Sequence, residues 1–353
     1  MELKKRILVA PLNWGLGHAT RCIPIINALM KYHYEPVIAS DGLALELLKK
    51  EFPTLTAITL PSYHISYPKN GKYFKLHLMK TAPKILNAIR AEKSQIQSLI
   101  KHNKIDGIIS DNRFGVYHKN VPSVFITHQL NVLSGSTTWM SSKIHQQMIH
   151  NFDECWVPDV TNTPSLSGKL GHLKQFNIPI KYMGIISRFN PIALEKKYDL
   201  LVLLSGPEPQ RTLLEQHILE QLKTYNGTIL FVKGKIEAQQ TKTIKGNLTI
   251  VNYMKSDALE IALNVSSTVI SRSGYTTILD LAKLGKKAFF IPTPGQFEQE
   301  YLAERLDKRG IAPYCHQEEF TIDQLHRIKT YTGFDTVSCQ IDFKALFYLF
   351  ECK

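Results

Sequence analysis

A chain of 353 residues is long for one hydrophobic core and comfortable for two domains. It is 44% hydrophobic and 21% charged, an ordinary globular composition, and its formal net charge of +13 calls for an anionic partner: nucleic acid, a membrane surface or phosphate-bearing small molecules. Its five cysteines form no CxxC or metal-ligand spacing, which fits a reducing cytoplasm. No apolar run is long enough to span a bilayer, no cleavable leader is visible, and no zinc-finger or RNP-like pattern supports nucleic acid.

Arg6–Pro11 reads as a buried strand, and the loop Asn13-Trp14-Gly15-Leu16-Gly17-His18 leads into a helix from about Ala19 to Tyr32. Gly15 and Gly17 let the backbone turn tightly and approach a ligand. His18 falls at a helix start, where the dipole lowers an imidazole pKa and leaves the neutral form that a general base needs. A polar helix cap is the alternative. Strand Glu35–Ala39, helix Gly42–Lys50 and strand Leu55–Thr59 continue the alternation. From Ser62 to Lys93 there are seven Lys or Arg and one acid, Glu92, around apolar residues that recur at helical spacing from Leu78 to Ile89. Such a segment is either a membrane-surface helix or a core helix with a solvated basic face. Strand Ile105–Ile109 delivers Asp111 in a dense polar group, and strand Pro122–Ile126 delivers His128 and Asn131. Helix Thr137–His150 and strand Glu154–Val157 complete this half, and a domain boundary is expected near residue 190.

Strand Asp199–Leu204 restarts the pattern and opens into Ser205-Gly206-Pro207-Glu208-Pro209-Gln210-Arg211. Arg211 is either a phosphate neutraliser or a surface residue at a proline-capped helix start. Strands Thr228–Val232 and Leu248–Val251 follow, the second running into a loop that holds Met254. The run Thr268–Ile270 then enters Ser271-Arg272-Ser273-Gly274-Tyr275-Thr276-Thr277 and a helix that stops at Gly285. A hydroxyl-rich, Gly-containing turn at a helix start presents N–H groups at the positive end of the dipole, a place for phosphate. An ordinary capped βαβ turn is the alternative. One helical turn later Asp280 supplies a carboxylate suited to ribose hydroxyls. Strand Ala288–Pro292 precedes a helix carrying Gln299 and Glu300, and Phe320–Tyr331 and Gln340–Phe350 read as closing helices.

The block from Ser271 to Leu306 resembles the donor half of GT-B glycosyltransferases related to MurG. The resemblance spans nearly the whole chain and is specific mainly in the C-terminal half. It implies two doubly wound Rossmann-like α/β domains facing across a cleft, residues 1–190 for the acceptor and 191–353 for the donor, with the last helix free to return to the first domain. By that likeness, Arg272, Ser273, Gly274 and Thr276 face the diphosphate of a UDP-sugar, and Ser205 and Arg211 border it. Met254 reads the base by position, Asp280 binds ribose in place of the usual Glu, and Gln299 and Glu300 stand where the family has a Gln-Gln pair that holds the sugar. The Gly-rich loop ending in Gly17-His18 makes His18 the candidate base. His128 and Asn131 match an acceptor-side motif whose acid is missing, so Asp111 becomes the substitute carboxylate.

The function implied is an inverting, metal-independent transfer of GlcNAc or a related hexose from a UDP-sugar to a lipid-linked or cell-envelope glycan hydroxyl. There is no Asp-x-Asp motif and no cofactor is expected beyond that co-substrate. The implied location is cytoplasmic, peripheral at the inner face of the membrane. A nucleotide-sugar hydrolase of the same fold and a non-catalytic UDP-binding protein are the alternatives.

Overall fold

The computed structural model describes residues 4–64, 74–102, 104–162, 164–173, 176–235, 237–334 and 341–351, with the backbone alone for 74–81 and 136. The chain divides into two compact units. One comprises Met1–Ile65 and Lys75–Ile186 together with the C-terminal helix, and the other runs Ser187–Ser338.

The first unit alternates β1 (Arg6–Pro11), α1 (Gly17–Lys31), β2 (Glu35–Ser40), α2 (Gly42–Glu51), β3 (Ala57–Thr59), α3 (Phe74–Lys101), β4 (Gly107–Asp111), β5 (Ser123–Ile126), α4 (Thr138–Ile149), β6 (Glu154–Val157) and β7 (Ile180–Tyr182). Its seven strands are all parallel, in the order β3-β2-β1-β4-β5-β6-β7. The strand sequences explain why. Ile7–Ala10, Val37–Ala39, Ile108–Ile109 and Val124–Ile126 are apolar without alternation and fully buried, as strands covered by helices on both faces must be. Strand order reverses between β1 and β4, where Pro11 lies opposite Asp111. The loops leaving these two strands therefore diverge and open a crevice at their carboxyl ends.

The second unit holds β8 (Tyr198–Leu203), α5 (Gln210–Gln221), β9 (Ile229–Val232), β10 (Lys242–Lys245), β11 (Leu248–Val251), α6 (Ser256–Asn264), β12 (Ser266–Ser271), α7 (Tyr275–Lys283), β13 (Lys287–Phe290) and α8 (Phe297–Lys308). Its order is β10-β11-β9-β8-β12-β13, parallel except for the β10–β11 hairpin. Here the reversal falls between β8 and β12, and the loops at Ser205 and Ser271 leave from it.

The last helix, α9 (Phe343–Glu351), packs on the first unit. Phe347 meets Tyr32 and Tyr34 edge-on at 5.8 Å, and Phe350 lies so close to Gly107 that a Cβ there would come within 2.6 Å of its ring. Two local features differ from the sequence reading. The edge strand β10 has no apolar alternation to reveal it, since all four of its residues are exposed. Residues Ile322–Thr330 form 3₁₀ rather than α turns.

Candidate active site

His18 is the second residue of α1, and the chain reaches it through Gly15, whose φ of +75° favours glycine. Across the β1/β4 reversal Asp111 ends β4, fully buried, and its Oδ1 lies 2.8 Å from His18 Nδ1. The same Nδ1 lies 2.9 Å from Arg21 Nη2, so it either carries the proton and donates to Asp111 or holds a lone pair and accepts from Arg21. In the first of these tautomers Nε2 keeps the lone pair that a base needs. Asn112 follows in a left-handed conformation, φ +59°, and its amide donates to Asp111 Oδ1 at 3.2 Å.

Arg21, one helical turn beyond His18 and 2% exposed, grips the same carboxylate at both oxygens, Nε donating to Oδ2 at 2.5 Å and Nη2 to Oδ1. Its Nη1 lies 3.2 Å from His128 Nδ1. The three residues expected to be catalytic, His18, Asp111 and His128, thus converge on one arginine that the sequence reading passed over. Its only signal was a basic residue three positions after His18 on the same helix face. Burial lowers the His18 pKa. Asp111 pulls it upward, while Arg21 and His128 add to the lowering, and the net places it below the ordinary value, so the imidazole is neutral at neutral pH. Burial alone would raise the Asp111 pKa, but Arg21 and His18 outweigh it and hold the carboxyl well below its usual range. Asn131, by contrast, turns away to hold a loop, donating to the Lys169 carbonyl at 2.6 Å.

A second buried group lies beside this one. Arg113 binds Glu92 at 2.6 Å and Asp41 at 2.7 Å, and Tyr63 donates to Glu92 at 2.7 Å. Glu92 therefore belongs to the interior and does not offset the basic face of α3. Of that face, Lys84, Arg90 and Lys93 are exposed, while Lys69 and Lys72 lie outside the described residues and Lys75 and Lys80 are described by their backbone alone.

In the second unit, Gly274 caps α7 with φ −66°, and a Cβ built there would meet nothing within 4 Å. Open space thus sits against the N–H end of a nine-residue helix, with Thr276 half-buried beside it. Ser273 is engaged elsewhere: its hydroxyl donates to the Gln299 carbonyl at 2.8 Å. Arg272 corrects its expectation as a diphosphate ligand. Its side chain is 1% exposed and donates to the carbonyls of Ile291, Pro292 and Gln210 and to Gln317 Oε1, ties that fix the loops around the sheet edge. Burial brings its pKa down to about 9. A guanidinium taken out of water must spend its donors on protein acceptors. Arg211 is corrected likewise: 3% exposed, it is held by Glu208 and Glu215, each at 2.6 Å, and is neither a surface residue nor turned to a phosphate.

Asp280 is half-buried, and its Oδ1 accepts a 2.6 Å bond from Ser187 Oγ. Burial pushes its pKa up to about 6 against the opposing pull of Arg188. Gln299 uses its amide locally, accepting from Thr293 N–H at 2.8 Å and donating to Gln296 at 2.6 Å, and Glu300 accepts from Gly295 N–H at 3.0 Å. Both side chains shape the loop before α8. Ser205 is half-buried in the β8 loop next to Gly206, whose φ is +107°, and Met254 is half-buried just before α6. Among the described residues no group of three or more His, Cys, Asp or Glu could hold a metal ion.

Residues 207–330 match the glycosyltransferase family 28 C-terminal domain. Together with the two Rossmann-like units, this defines a GT-B glycosyltransferase. Within that class the chain is related to MurG. It is 25% identical over 338 residues to the UDP-N-acetylglucosamine--N-acetylmuramyl-(pentapeptide) pyrophosphoryl-undecaprenol N-acetylglucosamine transferase of Clostridium tetani, covering 90% of this chain and 87% of that one. An uncharacterized glycosyltransferase of Methanopyrus kandleri is 23% identical over 325 residues, 87% of this chain and 88% of its own. Among solved structures, Acinetobacter baumannii MurG superposes with a TM-score of 0.54 at 15% identity, covering 93% of this chain and 90% of that chain. Spinosyn rhamnosyltransferase SpnG complexed with thymidine diphosphate gives 0.60 at 16%, covering 93% of each.

Proposed function

We propose that this chain is an inverting, metal-independent glycosyltransferase that moves a sugar from a UDP-sugar to a hydroxyl of a lipid-linked or cell-envelope glycan. The observation that carries the reading is the His18 imidazole held 2.8 Å from the buried Asp111 carboxylate at the sheet reversal of the first unit, where burial lowers its pKa. As the acceptor oxygen bonds to the anomeric carbon, its proton passes to His18 Nε2 and Asp111 stabilises the imidazolium. The bond to the diphosphate breaks and UDP leaves. The N–H groups at the start of α7 take up the charge that develops there, and Asp280 accepts from ribose. UDP-GlcNAc is the first donor to test, because the MurG-named relatives use it. The setting we assign is the cytoplasmic face of the membrane, with the basic face of α3 toward anionic lipid.

The test is product analysis after incubation with a panel of UDP-sugars and a lipid extract. We expect a glycosylated lipid and stoichiometric UDP. Free sugar released without any acceptor would replace this reading with a nucleotide-sugar hydrolase, and nucleotide binding without turnover would replace it with a UDP-binding protein.

A further inference from the structure

We propose that Arg21 is a positioning residue that keeps His18 unprotonated by balancing the charge of Asp111. The inference rests on His18 being the base of the reaction above. The geometry is a closed group: Arg21 holds both oxygens of Asp111, and His18 Nδ1 lies 2.8 Å from Asp111 Oδ1 and 2.9 Å from Arg21 Nη2. The Arg21 and Asp111 side chains are 2% and 0% exposed, so water does little to screen them. The other titratable groups facing the pair are Cys22 of α1, its Sγ 3.7 Å from Asp111 Oδ2, and His128 after β5, with His145 of α4 beside it. Burial raises the Cys22 pKa and lowers the His145 pKa to about 4, so both are neutral at pH 7.

A carboxylate against an imidazole normally raises the imidazole pKa and spoils it as a base near neutrality. Here the charges of Arg21 and Asp111 sum to zero, so the pair sets no net charge against a deprotonated His18. Without Arg21 the same group would carry one unbalanced negative charge, and the least costly remedy is to bind a proton. Whether that proton rests on His18 or is shared with Asp111, it occupies the base. Arg21 touches no reacting atom in this scheme; it sets the pH at which His18 can accept a proton.

The experiment is a pair of titrations on the full chain: kcat/KM against pH, and the His18 imidazole followed by NMR without substrate. In Arg21→Met both should move to higher pH by about one to three pH units, with turnover at pH 7 down roughly tenfold or more and recovering as pH rises. Arg21→Lys keeps the charge but loses the fork, and should return most of the profile. Asp111→Asn and the double variant Asp111→Asn/Arg21→Met serve if Arg21→Met does not fold. The double variant should titrate at higher pH than Asp111→Asn alone, because only the latter retains the uncompensated cation. Equal His18 titration in these two, or a loss in Arg21→Met that is uniform across pH with His18 unmoved, overturns the inference and leaves Arg21 a structural clamp. If His18→Ala turns over like the wild type, the base assignment fails instead, while the NMR comparison still decides whether Arg21 acts on His18.

Discussion

His18 and Asp280 are the two side chains on which the proposed reaction rests, and each can be tested alone. His18→Ala should lower turnover by about 100-fold or more, the usual contribution of a positioned base, with UDP-GlcNAc affinity by calorimetry nearly unchanged because the proposed nucleotide turn at the start of α7 lies in the other unit. A parallel loss of binding would mean that His18 holds the donor. Asp280, with a pKa of about 6, is ionised at pH 7 and becomes a neutral carboxyl as pH falls through that value. Affinity for UDP-GlcNAc, a diphosphate diester with no ionisation of its own there, should weaken over the same range, and Asp280→Asn should be weak and flat with pH. His18 and its partner Asp111 were legible to different degrees. A Gly-His at a helix start marks His18, whereas its pairing with Asp111 spans 93 residues and exists only because β1 and β4 are neighbours. Arg272 and Arg211 were misplaced because a sequence displays a charge but not the direction in which a long side chain turns. Both point inward, to carbonyls and acids from segments distant in sequence or on their own helix.

At the level of elements, the βα alternation was readable because buried parallel strands are continuous apolar runs and their helices carry a 3.6-residue stripe. What failed were elements without that signature. β10 is only four residues long, exposed on both faces and bounded by Lys242 and Lys245, which suits an edge strand that resists pairing with another chain. The α7 start offers a test independent of side-chain chemistry. Gly274 has an ordinary φ, and a Cβ there meets nothing, so Gly274→Ala should fold with unchanged Tm. If diphosphate seats against these N–H groups, however, the methyl occupies its space. Displacing an anion from one such hydrogen bond costs about 1.5–3 kcal/mol, roughly tenfold or more in affinity. An unaltered Kd for UDP-GlcNAc would move the diphosphate away from this turn.

Across the whole molecule the excess of basic charge is the property that the two sites leave unexplained. The chain carries +13, and among the described residues no helix is long and apolar enough to cross a membrane. On α3, the turning inward of Glu92 leaves Lys84, Arg90 and Lys93 exposed together with Leu86. On α4 of the same unit, Trp139 is 70% exposed, with Met140 and Ile144 also exposed and the Lys143 ammonium 4.3 Å from the indole centroid. Basic residues among exposed apolar ones suit an anionic interface, where each cation contributes on the order of 1 kcal/mol, screened by salt. Several together hold a protein reversibly, which suits an enzyme whose acceptor stays in the bilayer. Flotation with anionic vesicles should therefore show binding at low salt that falls as salt rises. Reversal of Lys84, Arg90 and Lys93 to Glu should weaken it, and Trp139→Ser should weaken it without changing the salt dependence. Neutral vesicles should float free of protein. Indifference of the wild-type protein to anionic vesicles at low salt would make these faces ordinary solvated helices and shift the search for the acceptor to soluble glycans.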